Sequence, residues 1–181
     1  MAPTLLNPEK FQNQLRTLDG QARATVELHG LHTLWFNTGT LCNITCAHCY
    51  IESSPTNDRL EYLCHDEMTR YLDEIRDTGL PTSEIGFTGG EPFMNPDILP
   101  MLQTCLARGF RVLVLTNAMQ PMQRPALLQG LHDLRERFAD RLSLRVSLDH
   151  HTKALHETER GANTWDKALA GITYLLSLIH I

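Results

Sequence analysis

The sequence has no apolar run long enough to cross a bilayer, no surplus of positive charge, and no internal repeat, low-complexity tract or clear linker. Each absence removes a class of function. The longest late apolar stretch, Leu169 to Ile181, falls short of the roughly 20 residues that span a hydrocarbon core and reads as a buried helix, so no membrane association is expected. Sixteen Lys and Arg stand against 21 Asp and Glu, a formal net charge of -5, which leaves no overall basic field to recruit nucleic acid or anionic lipid. The opening residues, MAPTLLNPEKFQNQ, lack the basic segment and apolar run of a secretory signal, and the expected location is the cytoplasm. Five cysteines are an odd number; without a secretory context they argue against a disulfide framework and for reduced thiols that bind metal.

What is present is an ordinary globular composition, 42% hydrophobic and 20% charged over 181 residues, enough for one domain with a real core and too little for two. After residue 30, strand-like and helix-like patterns alternate. Strands are predicted at Thr33 to Asn37, Glu84 to Thr88, Arg111 to Thr116 and Leu142 to Leu148. Helices are predicted from Asp66 to Thr78, with Met68, Tyr71, Leu72 and Ile75 on one face and Gly79 as the stop, from Ile98 to Arg108 starting near Asp97, from Pro125 to Phe138, and from Asn163 or Thr164 onward. Pro100 fits the second helix only in its first turn. Four β/α units in succession imply parallel strands joined by right-handed crossovers, hence a barrel or a doubly wound sheet. In the fourth strand Leu142, Leu144, Val146 and Leu148 alternate with Ser143, Arg145 and Ser147. One polar face on a strand that should be covered on both sides points to a barrel wall around a polar site, with Arg145, Ser147 and Asp149 on the inner face. Trp35 and Phe36 read as core.

The loop after the first strand carries Cys42, Cys46 and Cys49 as C-x3-C-x2-C. Three thiolates on a short loop can ligate three irons of a cubane and leave the fourth open to a substrate or cofactor. By spacing alone the same cysteines with His48 or His65 make a Cys3His zinc site, and an iron–sulfur electron-transfer or carrier protein fits them too. Directly after the second strand come Gly89, Gly90, Glu91 and Pro92; two glycines let the main chain approach a bound molecule. Thr116 and Asn117 close the third strand at the same end and read first as a turn. Cys105 reads as packing in the second helix, and Cys64 lies beside the start of the first.

These motifs together resemble the radical S-adenosylmethionine (SAM) superfamily over about residues 33 to 170. The resemblance implies a partial (β/α) TIM-like barrel of parallel strands, with about four β/α units present of an expected six. It implies that Cys42, Cys46 and Cys49 hold a 4Fe-4S cluster that reductively cleaves SAM, giving a 5'-deoxyadenosyl radical that abstracts hydrogen from an unidentified substrate, an oxidoreductase-type chemistry. It further implies that the GGE of Gly89, Gly90 and Glu91 contacts the SAM amino group, that Ser147 and Asp149 approach its ribose or carboxylate, and that Arg160 of HETERG pairs with the methionine carboxylate. His48 occupies the place where the family carries an aromatic or apolar residue, and His150 stands where glycine is usual. The implied partner is an external one-electron donor of flavodoxin or ferredoxin type.

The domain reading is a lead-in at 1–32, an incomplete core at 33–175 and a possible non-native tail at 176–181. The last six residues, LSLIHI, coincide with a reading-frame translation of a common sequencing-adapter end, so a truncated reading frame is expected.

Overall fold

Alternation along each strand decides which face meets the helices. The structure, a computed structural model, describes residues 12–27 and 29–179; residues 1–11 and 28 of the lead-in, and 180 and 181 of the tail, lie outside the described residues. Four strands, β1 (Thr33–Asn37), β2 (Glu84–Thr88), β3 (Arg111–Thr116) and β4 (Leu142–Val146), form one sheet in the order β1-β2-β3-β4. Every neighbouring pair is parallel. Right-handed crossovers that always step the same way place their helices on one side, which is the winding of a barrel wall; a doubly wound sheet reverses its strand order. The sheet is open, with β1 and β4 as its two edges.

The register stacks Leu34, Ile85, Val112 and Leu142 in one row and Phe36, Phe87, Val114 and Leu144 in the next. Against these rows lie α1 (His65–Thr78), α2 (Ile98–Ala107) and α3 (Pro125–Phe138), α1 packing on α2 and α2 on α3. Met68, Leu72 and Ile75 are the buried stripe of α1, while Tyr71 remains half exposed. The helix stops at Gly79, whose φ of 66° is the left-handed conformation that glycine adopts without strain. α2 takes Pro100 in its first turn and buries Met101, Leu102, Cys105 and Leu106. α3 opens on Pro125 and buries Leu127, Leu131 and Leu134. Each such fully buried side chain stabilises the fold by about 1.5–3 kcal/mol before entropy is counted.

The structure departs from the sequence reading in four places. Trp35 is 43% exposed, because it sits in register on the opposite face from Phe36, lying across Gly86 on the concave side that the open sheet leaves partly bare. β4 ends at Val146, two residues early, so Arg145 lies exposed on the strand while Ser147 and Asp149 belong to the irregular segment that follows, Ser147 N–H still donating to Thr116 O (2.9 Å). An unpredicted helix, α4 (Lys153–Arg160), precedes α5 (Trp165–Ile179). It buries only His156, so it has no apolar period for a sequence reading to detect. Finally, α5 is amphipathic where a buried helix was expected: Ala168 is buried and Leu176 is 51% exposed.

Two helix glycines separate propensity from packing. Alanine is the better helix former by roughly 1 kcal/mol. At Gly171 of α5 an added Cβ would lie 1.9 Å from the Ala118 carbonyl oxygen, a main-chain atom; at Gly130 of α3 it would meet the end of the Leu99 side chain at 2.5 Å. Gly171→Ala is expected to lower stability in urea unfolding by about 1–3 kcal/mol. Gly130→Ala, where Leu99 can turn aside, should change it by less than about 1 kcal/mol.

Candidate functional site

All four strands point their C-terminal ends at one rim, and the loops there pack main chain on main chain. After β1, the Cys42 N–H donates to the Ser54 carbonyl (3.1 Å) and Thr40 N–H to Leu60 O (3.3 Å), which folds residues 38–60 back on themselves. The loop after β2 lies directly on this one: Gly90 N–H donates to Gly39 O (2.8 Å) and Glu91 N–H to Leu41 O (3.1 Å). A Cβ on Gly90 would sit 2.1 Å from the Leu41 carbonyl oxygen, and one on Gly89, at φ 130°, 2.6 Å from Gly39 O. The packing demand on the glycine pair therefore comes from the cysteine loop itself.

Glu91 is buried beneath this junction. Its Oε1 accepts from the Thr116 hydroxyl (2.8 Å) and the Phe93 N–H (3.2 Å), its Oε2 from the Asn117 N–H (2.8 Å). The carboxylate thus ties the end of β2 to the end of β3. Asn117 continues the chain of contacts: its side-chain amide donates to Asn43 Oδ1 (2.9 Å) and lies 3.9 Å from Cys42 Sγ. Thr116 and Asn117 are accordingly part of the site and more than a turn.

The other half of the cysteine loop meets the end of α4. Ala47 N–H donates to the Glu159 carbonyl (2.8 Å), His48 N–H to Glu159 Oε1 (3.0 Å), and His48 Nδ1 lies 2.6 Å from Glu159 Oε2. Arg160 grips Asp149 with two nitrogens (2.5 and 3.2 Å) and sets Nη1 3.7 Å from Cys46 Sγ. The Ser53 N–H donates to Cys49 Sγ (3.2 Å), while the buried Ser53 hydroxyl has no hydrogen-bond partner.

Between these parts lies a cavity of about 380 Å³. Of the residues singled out in the sequence, Cys42, Cys46, Cys49, His48, Gly89, Gly90, Ser147, Asp149 and Arg160 line it, together with Asn117, Ser53 and Glu159. Glu91 does not: its side chain is spent on Thr116, Phe93 and Asn117. Glu159 and Ser53 went unread in the sequence; the signal for Glu159 was its place beside Arg160 in HETERG, and Ser53 carried none.

Burial pushes the Cys42 thiol up to about 11, and Glu91 and the two other cysteines add to the rise. Burial also raises Cys46, against the opposing charge of Arg160. The Arg160 hydrogen bond holds Asp149 below the usual carboxylate range. A cation bound by these thiols would reverse their preference, since a coordinating thiol is held deprotonated.

One tetrahedral ion with 2.3 Å bonds draws its sulfurs to within about 4 Å of each other. Among the described residues no three His, Cys, Asp or Glu side chains are grouped to hold a single metal ion. His48 is engaged by Glu159, and His65, at the start of α1, bonds Thr104 of α2 and does not line the cavity.

Comparison with known proteins identifies the family. Residues 36–180 match the family model described as the Radical SAM superfamily. The chain is 32% identical over 120 residues to the antilisterial bacteriocin subtilosin biosynthesis protein AlbA of Bacillus subtilis, covering 66% of this chain and 25% of that protein. It is 31% identical over 135 residues to an AdoMet-dependent heme synthase of Methanosarcina barkeri, covering 74% and 36%. It therefore spans between a quarter and just over a third of these two relatives. Among solved structures, Streptococcus suis SuiB bound to S-adenosylmethionine superposes with a TM-score of 0.65 at 18% identity, over 82% of this chain and 32% of that one, a likeness of fold.

Glu91 gives a pH test. Burial raises its carboxyl to about 7 from the ordinary 4.5, outweighing the hydrogen bonds that pull it down. In acid it is neutral in both folded and unfolded chains; as pH rises past 4.5 the unfolded chain ionises first, so stability is lost until pH passes about 7. Urea unfolding is expected to show the wild type losing roughly 3 kcal/mol relative to Glu91→Gln between pH 4.5 and pH 8. A difference that stays flat over that range would contradict the shift.

Proposed function

Because the chain belongs to the radical SAM superfamily, we propose that Cys42, Cys46 and Cys49 bind a 4Fe-4S cluster and that the adjoining cavity holds SAM for reductive cleavage. The observation that carries this reading is convergence: three thiols of one loop line the same cavity as Gly89, Gly90, Ser147, Asp149 and Arg160, which arrive from three other segments. The donor set fits the cluster. Three cysteines of one loop, lining one cavity, can serve three irons of a cubane and leave the fourth open.

When bound and reduced, the cluster supplies the electron that splits SAM into methionine and a 5'-deoxyadenosyl radical. The chain's own residues prepare the place for this. The polar main-chain edge at Gly89 and Gly90 faces the cavity and suits the amino group of a bound methionine moiety. Arg160, oriented by Asp149, presents a fixed positive charge beside Cys46, where it favours a carboxylate and a thiolate alike. Ser147 and Asp149 line the same cavity and offer acceptors for a ribose. Glu91 touches neither group in this reading; it sets the relative position of the β2 and β3 ends. Leu115 and Ile44 supply apolar wall, which limits the water that would quench a radical.

The proposal includes an external one-electron donor of flavodoxin or ferredoxin type and a hydrogen-donating substrate. No helix among the described residues is long and apolar enough to cross a membrane, and the free cysteines suit a reducing compartment, so we place the enzyme in the cytoplasm. The relatives act in subtilosin biosynthesis in one case and heme synthesis in another, so the reading stops at the radical and names no substrate.

Anaerobic reconstitution with iron and sulfide tests it. The chain is expected to turn brown, to carry about four irons, and to release 5'-deoxyadenosine from SAM under dithionite. Replacing all three cysteines with alanine should bring both iron and product to background. Stoichiometric zinc without SAM cleavage, or 5'-deoxyadenosine from the triple variant, would sink the assignment.

A further inference from the structure

The cysteine loop is fastened at two separate places. Its first cysteine is held by the sheet side, through the Ser54 carbonyl and the Asn117 side chain. The stretch with the other two has a different support. Among the described residues, the main-chain amides of 43–50 that bond outside the loop are those of Ala47 and His48, and both end on Glu159. Glu159 uses three acceptors at once. Its main-chain carbonyl belongs to the last turn of α4, where no helical N–H follows to take it, and Ala47 takes that place. One carboxylate oxygen takes the His48 amide; the other meets the imidazole at 2.6 Å, a charge-assisted contact. The next residue, Arg160, is locked to Asp149 and reaches Cys46 Sγ, so the end of α4 is itself fixed in place.

We propose that Glu159 is a positioning residue for the cluster: it holds Cys46 and Cys49 in place relative to Cys42 before iron arrives. The inference rests on the cluster reading of the cavity but adds a residue that ligates nothing. Three sulfurs must reach three irons of one rigid body, and each freely moving segment adds entropy to be lost on assembly. A loop anchored only at Cys42 would leave its second half to be ordered by the metal. With Glu159 in place, most of that ordering is done by the fold.

The test uses the full chain in two states. In the iron-free protein, hydrogen exchange at residues 46–49 is compared among wild type, Glu159→Ala and Glu159→Gln. The alanine variant should exchange there at least about tenfold faster, the size of one charge-assisted hydrogen bond, with β2 and β3 amides still protected. In the second state iron and sulfide are added anaerobically, and assembly of the cluster should slow by about the same factor in the alanine variant. A glutamine side chain at this position can still accept from the His48 amide and reach its ring, so Glu159→Gln should restore both. Should the alanine variant unfold, Glu159→Asp, which keeps charge and helix but draws the carboxylate back by one methylene, gives the same reading. Unchanged exchange in a folded alanine or aspartate variant, assembly at the wild-type rate, or no rescue by glutamine overturns the proposal. If the wild type takes up no cluster, the cluster reading fails and this proposal with it, whereas exchange still reports whether Glu159 holds the loop.

Discussion

The site depends on one close approach: the main chain at Gly89 and Gly90 lies against the main chain at residues 38–41, with no room for a single Cβ between them. Two loops that follow neighbouring parallel strands are thereby locked at van der Waals contact by hydrogen bonds from Gly90 and Glu91. From that junction the position of Cys42 follows, and so does the burial of Glu91, whose carboxylate carries the alignment across to Thr116 and Asn117. The order of the strands makes this possible, because neighbours in sequence are neighbours in space and their loops meet at one rim.

Burial works in two directions here. It raises the Cys42 and Cys46 thiols, and it raises the Glu91 carboxyl to about 7. Against this, Arg160 brings a positive charge to the side of the cavity where Cys46 lies. The same low-dielectric surroundings that disfavour an isolated thiolate would strengthen its bond to a cation once one is present.

Much of this was legible in the residues and some was not, for physical reasons. The β1, β2 and β3 boundaries and α3 came directly from periodicity and breakers, because apolar side chains there face one continuous core. The cysteine spacing and the glycine pair announced a site, since few structures need either. The glycines were read as letting the main chain approach a bound molecule; they line the cavity, and the cysteine loop's main chain also packs against them, a demand that no local pattern discloses. Glu91 was given a cofactor contact by the family resemblance alone, and nothing local says that a carboxylate after a strand will accept hydrogen bonds from Phe93, Thr116 and Asn117. α4 escaped because it buries one histidine and no apolar stripe, and with it escaped Glu159. Trp35 was taken for core because hydrophobicity says that a residue prefers cover and does not say that cover is supplied; an open sheet leaves one face bare.

That bare face gives the molecule a built-in optical gauge. The chain has two tryptophans. Trp165 lies edge-on to the buried His156 ring at 5.4 Å between α4 and α5, and its emission reports on that helix pair. Trp35 lies flat across Gly86 in the hollow of the sheet, 43% open to solvent, so any molecule or chain segment settling into the hollow dehydrates its indole and shifts its emission to the blue. The two signals come from separate parts of the fold, and occupancy of the hollow can be followed in solution without a label.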